Sequence, residues 1–143
     1  MKHEYTSIIH WSEKEEEHGN ITMDCGYSCE FHKPMEFGGV EGMMNPEDAF
    51  VGSLAMCYSI TLQSTLEKMR LKLADFELET IGLLEDTEEG NKITKIDLIP
   101  KVKLMKEEDK DKVERALKLA KKNCLISKSI NSDIQLKPEI ELS

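Results

Sequence analysis

The stretch Asn45-Pro46-Glu47-Asp48-Ala49-Phe50-Val51-Gly52-Ser53-Leu54-Ala55-Met56-Cys57 decides the fold. Asn is a favoured helix N-cap. Pro46 suits the first turn, where its missing N–H costs nothing, and Glu47 and Asp48 stand at the positive end of the helix dipole. The pattern predicts a helix from Asn45 to about Arg70, roughly 37 Å long at 1.5 Å per residue. Ala49, Phe50, Val51, Leu54, Ala55, Met56, Ile60 and Leu62 cover nearly every side of its first half. A helix apolar all round is expected to be surrounded by protein. Cys57 lies inside it.

Upstream, Tyr5 to Trp11 reads as a strand with Tyr5, Ser7, Ile9 and Trp11 on one face. Ser12 to His18 reads as a charged turn. Asn20 to Asp24 and Tyr27 to His32 read as two strands or as one interrupted strand. Ile21, Met23, Cys25, Tyr27, Cys29 and Phe31 share the period of a half-buried strand, and Gly26 can break it into a hairpin. Met35 to Met44, with Gly38, Gly39 and Gly42, reads as a loop.

Downstream, Phe76 to Leu84 and Lys92 to Met105 read as a hairpin across the acidic turn Glu85 to Asn91. Pro100 restricts its second strand to an edge, a bulge or a break. Lys106 to Asn123 is a surface helix with Val113, Ala116, Leu117 and Ala120 on one stripe. Its acids come early and its lysines late, which suits the dipole and marks stability rather than a site. Cys124 to Asn131 is a short further helix, and Asp133 to Leu142 a closing strand. Strands, helix, strands, helices, strand make an α+β domain, one domain spanning 1–143.

The 143 residues carry a net charge of −9, which disfavours nucleic acid and anionic lipid. Lys101, Lys103 and Lys106 are balanced by Glu107, Glu108 and Asp109, as on a solvated face. No run of about 18 apolar residues predicts a membrane span. The start, Met1-Lys2-His3-Glu4-Tyr5, lacks the apolar stretch of a signal peptide, so a cytoplasmic setting with reduced thiols is expected.

Two cysteines stand out. A buried helical cysteine is usually a small hydrophobe, but Cys57 and Cys124 are far apart in sequence and each in a helical context, which suits a redox pair assembled by the fold. A thiolate is the reactive form, and the dipole of the helix that Cys124 opens would favour it there. Cys25, Cys29 and His32 hint at zinc, but on one strand the two sulfurs would stand about 13 Å apart. Even a turn at Gly26 supplies few ligands, so no metal is expected, there or with His3 and His10. Met35, Met43 and Met44 cluster before the long helix, fit for a greasy ligand or for ordinary interface packing.

Asn45-Pro46-Glu47, Ala55-Met56-Cys57, Cys124-Leu125-Ile126-Ser127-Lys128 and the loop Pro34-Met35-Glu36-Phe37-Gly38-Gly39 resemble the OsmC/Ohr family, the osmotically inducible and organic hydroperoxide resistance proteins. Element order agrees from about residue 5 to 142. The resemblance implies antiparallel sheets with a long central buried helix, in an intertwined homodimer with two interfacial sites. It implies a thiol peroxidase acting on organic hydroperoxides in oxidative-stress defence, with Cys57 peroxidatic, Cys124 resolving by disulfide formation, and Glu47 organising the site. Dithiols, lipoyl groups among them, would restore the thiols. No cofactor is required, because sulfur performs both redox steps.

Ten residues of helix put Glu47 about 15 Å from Cys57. Glu47 is therefore expected to serve the Cys57 of a neighbouring copy across a two-fold interface, or to act through an intermediary. One departure counts against activity. The family's peroxidases pair the thiolate with an arginine from the early turn or the glycine loop. Here those read Glu13-Lys14-Glu15-Glu16-Glu17-His18 and Glu36-Phe37, and the arginines are Arg70 and Arg115. His18, His32 and Lys33 are the candidate substitutes. The alternatives are a binder of a hydrophobic small molecule on the same fold, or a redox sensor.

Overall fold

The computed structural model describes residues 1–11 and 18–143. Ser12 to Glu17 of the expected charged turn lie outside the described residues. The chain falls into two compact units, Met1–Phe50 and Val51–Ser143.

In the first unit, β1 (Ser7–Trp11), β2 (Gly19–Met23) and β3 (Ser28–Phe31) form an antiparallel sheet in that order. Gly26 adopts φ 93° and closes a β2–β3 hairpin, which settles the choice between two strands and one. Gly19 pairs with Trp11 on one side and Phe31 on the other, whose rings meet edge-on at 5.9 Å. The expected loop holds a 3-10 turn, Met35–Phe37, ended by Gly38 at φ 94°.

The helix α1 (Pro46–Lys68) starts where the sequence places it. The Asp48 N–H donates to Asn45 Oδ1 at 2.8 Å, and Asn45 Nδ2 donates to Asp48 Oδ2 at 2.8 Å. Two polar groups at the helix start are thereby satisfied.

The second unit holds the rest of α1, then β4 (Leu73–Thr87), β5 (Gly90–Leu104), α2 (Lys110–Asn123), α3 (Leu125–Ser129), β6 (Asp133–Leu136) and β7 (Glu139–Leu142). The hairpin is longer than expected because its turn is tighter: Thr87 pairs directly with Gly90 (φ 103°), and Thr87 Oγ1 donates to the Gly90 carbonyl at 2.7 Å. Lys101 and Lys103 find acids on adjoining strands, Glu79 at 3.4 Å and Glu141 at 4.0 Å.

The second sheet departs from the expected antiparallel pattern. Both β6 and β7 join β5 in parallel. The helices α2 and α3 carry the chain back across the sheet, and such a crossover returns it in the same direction. The expected single strand over Asp133 to Leu142 is two strands, broken at Lys137 and Pro138. That break lies opposite Ile99 and Pro100, between the ladders at residues 95–98 and 101–104. Pro100, which has no N–H to give, thus sits inside a central strand where the neighbouring ladder is interrupted.

The core follows two periodicities. Ile96, Leu98, Val102 and Leu104 line one face of β5, and Val113, Ala116, Leu117 and Ala120 form the expected stripe on α2. From α1 come Leu54, Tyr58, Leu62 and Leu66, four residues apart. The expectation of a helix covered on all sides is not met within one chain: Met56 is 65 % and Ile60 71 % exposed. By length and composition Pro46–Lys68 would also pass for a membrane span, with mean hydropathy 1.2 over 18 residues, contrary to the expectation of no such run. Core helices of folded domains pass the same test, and this one seats its Leu54–Leu66 stripe in the core.

Candidate active site

The α1 helix presents Cys57 on its flank, half-buried, directly before fully buried Tyr58. Cys124 closes α2 and opens α3 with an extended backbone (φ −67°, ψ 119°), and it is fully buried. The fold brings these two residues together: the Cys124 thiol is a hydrogen-bond partner of the Cys57 sulfur.

Burial pushes the Cys57 thiol up, as it does any acid that ionises to an anion. That effect is outweighed. The Ile126 N–H, the Cys124 thiol, the Leu125 N–H and the Thr61 hydroxyl surround the sulfur and hold its pKa below the ordinary thiol value. Each favours the charged form by hydrogen bonding to it or standing beside it. The one proton of the Thr61 hydroxyl is directed to the Cys57 carbonyl at 2.8 Å, one helical turn back, so this hydroxyl stands beside the sulfur. The arrangement makes Cys57 a more acidic nucleophile than a free cysteine, with a second thiol in reach.

One sequence expectation changes owner. The start of α3 was expected to favour the thiolate of Cys124, yet the N–H groups of Leu125 and Ile126 serve Cys57. Cys124 itself sits at the N-cap of α3 with an extended backbone and makes no side-chain cap hydrogen bond there.

Glu47 stands in the first turn of α1, ten residues before Cys57 on an unbroken helix, so the axial separation of about 15 Å stands. The suggested replacements for the arginine are engaged locally in the first unit. His18 Nε2 lies 3.5 Å from Glu30, His32 packs its ring at 6.1 Å from Trp11, and the Lys33 side chain lies beside Gly38. Cys25 is exposed next to the hairpin glycine, and Cys29 is half-buried in β3 opposite Ile21. Met35 and Met44 are exposed, whereas Met43 is partly covered.

Sequence reasoning missed Tyr58, Thr61 and the two amides of α3. Thr61 was findable, since residues four apart share a helix face. The Tyr58 hydroxyl donates to the Leu117 carbonyl at 3.0 Å, a contact 59 positions away that no local pattern announces.

Residues 39–139 match the family of OsmC-like proteins. The chain belongs to that family. It is 33 % identical over 109 residues to YmaD, an uncharacterized protein of Bacillus subtilis, across 74 % of this chain and 73 % of that one. Among solved structures, an OsmC-like protein of unknown function from Vibrio cholerae superposes with a TM-score of 0.86 at 22 % identity, covering 96 % of this chain and 99 % of that one. An organic hydroperoxide resistance protein, OsmC, from Legionella pneumophila superposes at 0.73 and 22 % identity, over 98 % and 99 % of the two chains. These likenesses establish the OsmC-like α+β fold.

Proposed function

We propose that this OsmC-family chain is a thiol-dependent peroxidase that reduces organic hydroperoxides. The Cys57 thiolate attacks the distal oxygen of the hydroperoxide. The O–O bond breaks, the alcohol leaves with a proton, and Cys57 becomes a sulfenic acid. The Cys124 sulfur then attacks Cys57, water leaves, and the disulfide forms. An external dithiol, of lipoyl type or similar, restores both thiols by exchange and is itself oxidised to a disulfide.

The observation that carries the reading is the hydrogen bond between the Cys124 thiol and a Cys57 whose pKa is lowered. A sulfenic acid left alone proceeds to sulfinic acid, and a thiol already beside it intercepts that loss. The names of solved relatives such as the Legionella protein support the substrate class. In the same reading the working form is a cytoplasmic homodimer of OsmC-like domains. Glu47 of one copy supports the thiol of the other, and the exposed side of α1 forms the contact. A second reading, a binding protein with little turnover, is favoured by one observation: among the described residues, the groups holding down the Cys57 pKa include no cation.

The test is direct. Reduced protein is mixed with cumene hydroperoxide, and free thiols, intact mass and turnover with a dithiol are followed. The peroxidase reading expects loss of two thiols, a mass drop of about two protons, and repeated cycles. In Cys124→Ser, Cys57 is expected to gain oxygen instead and stop turning over. Wild type that keeps its thiols under peroxide would favour the binder. One-time oxidation without cycling would favour a sensor.

A further inference from the structure

Among the described residues Tyr58 is the one large aromatic side chain that is fully buried, and the peroxidase scheme gives it nothing to do. Its position is specific. It follows Cys57 directly on α1, and its hydroxyl donates at 3.0 Å to the carbonyl of Leu117 on α2. Leu117 lies seven residues before Cys124, roughly 10 Å along that helix. The hydrogen bond therefore joins the element carrying one thiol to the element ending in the other.

We infer that Tyr58 is a positioning residue: its bond to Leu117 fixes the register of α1 against α2 and so holds Cys124 where it can close on Cys57. The inference rests on the thiol-pair reading above. Apolar packing is non-directional, and the leucine and alanine stripes of the two helices could slide by a fraction of a turn at small cost. A disulfide does not tolerate such sliding, because its Cα atoms must stand roughly 4.4–6.8 Å apart with matched side-chain directions. A buried hydroxyl with a single acceptor supplies the missing direction. Burial first, and the nearby Cys124 second, push the Tyr58 phenol far above its ordinary value. The hydroxyl thus keeps its proton, and its bond, at any pH where the thiols work.

The test reads thiol geometry without peroxide turnover. Reduced wild type, Tyr58→Phe and Leu62→Ala are equilibrated with glutathione redox buffers, and the effective concentration of the Cys57–Cys124 pair is obtained from the fraction of disulfide. Phenylalanine keeps the ring, so the variant is expected to fold, with sucrose added as a stabiliser if circular dichroism calls for it. The expected result is a fall of about tenfold in effective concentration for Tyr58→Phe, the scale of one buried hydrogen bond. Under peroxide the same variant diverts more Cys57 to sulfinic acid. Leu62→Ala, which loosens the core of the same helix, is expected to lower Tm and leave the effective concentration within twofold of wild type. An unchanged value in folded Tyr58→Phe, or an equal fall in Leu62→Ala, overturns the positioning role. If wild type itself forms no Cys57–Cys124 disulfide, the thiol-pair reading fails first and takes this inference with it.

Discussion

At the scale of single residues, the groups among the described residues that make Cys57 acidic carry no formal charge. Two backbone N–H groups, a thiol and a hydroxyl outweigh the effect of burial. A thiol whose folded pKa is depressed stays ionised to lower pH than a free cysteine. Its reactivity is therefore retained below the free-cysteine range and lost only as pH falls through the lowered value. Alkylation of Cys57 by iodoacetamide across pH 5 to 10 should accordingly inflect below the value for the unfolded chain. Leu125→Pro deletes one of the N–H donors at the first position of α3, where proline is tolerated after the extended Cys124. Its profile should move upward, with slower alkylation at neutral pH. A Leu125→Pro profile that overlays wild type would remove that amide from the account. None of this was legible beforehand. The two cysteines announce themselves in the sequence, but the amides that tune Cys57 belong to residues whose side chains, Leu125 and Ile126, say nothing about it.

At the scale of elements, legibility followed range. Asn45 and Pro46 marked the start of α1, and the start is where the cap geometry places it. The α2 stripe of Val113, Ala116, Leu117 and Ala120 is legible for the same reason, since a helix period is local. The direction of β6 and β7 was not local, because it depends on where α2 and α3 deliver the chain. Sheet and helix also meet at one unadvertised glycine. A Cβ on Gly82 of β4 would lie 2.6 Å from Val51 Cγ2 on α1, so the two elements approach too closely for any side chain. Gly82→Ala should destabilise by about 1–3 kcal/mol in urea unfolding. Val51→Ala in the same chain should recover part of that loss by removing the methyl groups in the way. A Gly82→Ala variant as stable as wild type would mean the approach is looser than described.

At the scale of the whole molecule, the sequence suggested a helix apolar on every side, and one chain buries one stripe of it. Met56 and Ile60 remain exposed in the half of α1 that carries Cys57. The sequence pattern and the single chain agree once a second copy covers that side, which is the homodimer proposed above. Ile60→Glu places a charge in that contact, and unpaired charges in a buried interface are costly. Sedimentation should report wild type at twice the chain mass of 16.3 kDa and Ile60→Glu shifted toward the single chain. Wild type sedimenting as a single chain would end the proposal that Glu47 serves a neighbouring thiol.

The long β4–β5 hairpin has a kinetic corollary. Its ladder starts at Thr87 and Gly90, separated by two residues, and extends outward to Leu73 and Leu104, so each new rung closes only a small additional loop. By contrast, β6 cannot dock on Ile96 and its neighbours until the chain has wound through α2 and α3, a far wider excursion. Rungs that close small loops form sooner. In pulse-labelled hydrogen exchange during refolding, amides of β4 and β5 should gain protection before those of β6 and β7. Cys124, which lies on that late excursion, would then meet Cys57 only near the end, so the nascent chain passes through an interval with its nucleophilic sulfur unaccompanied.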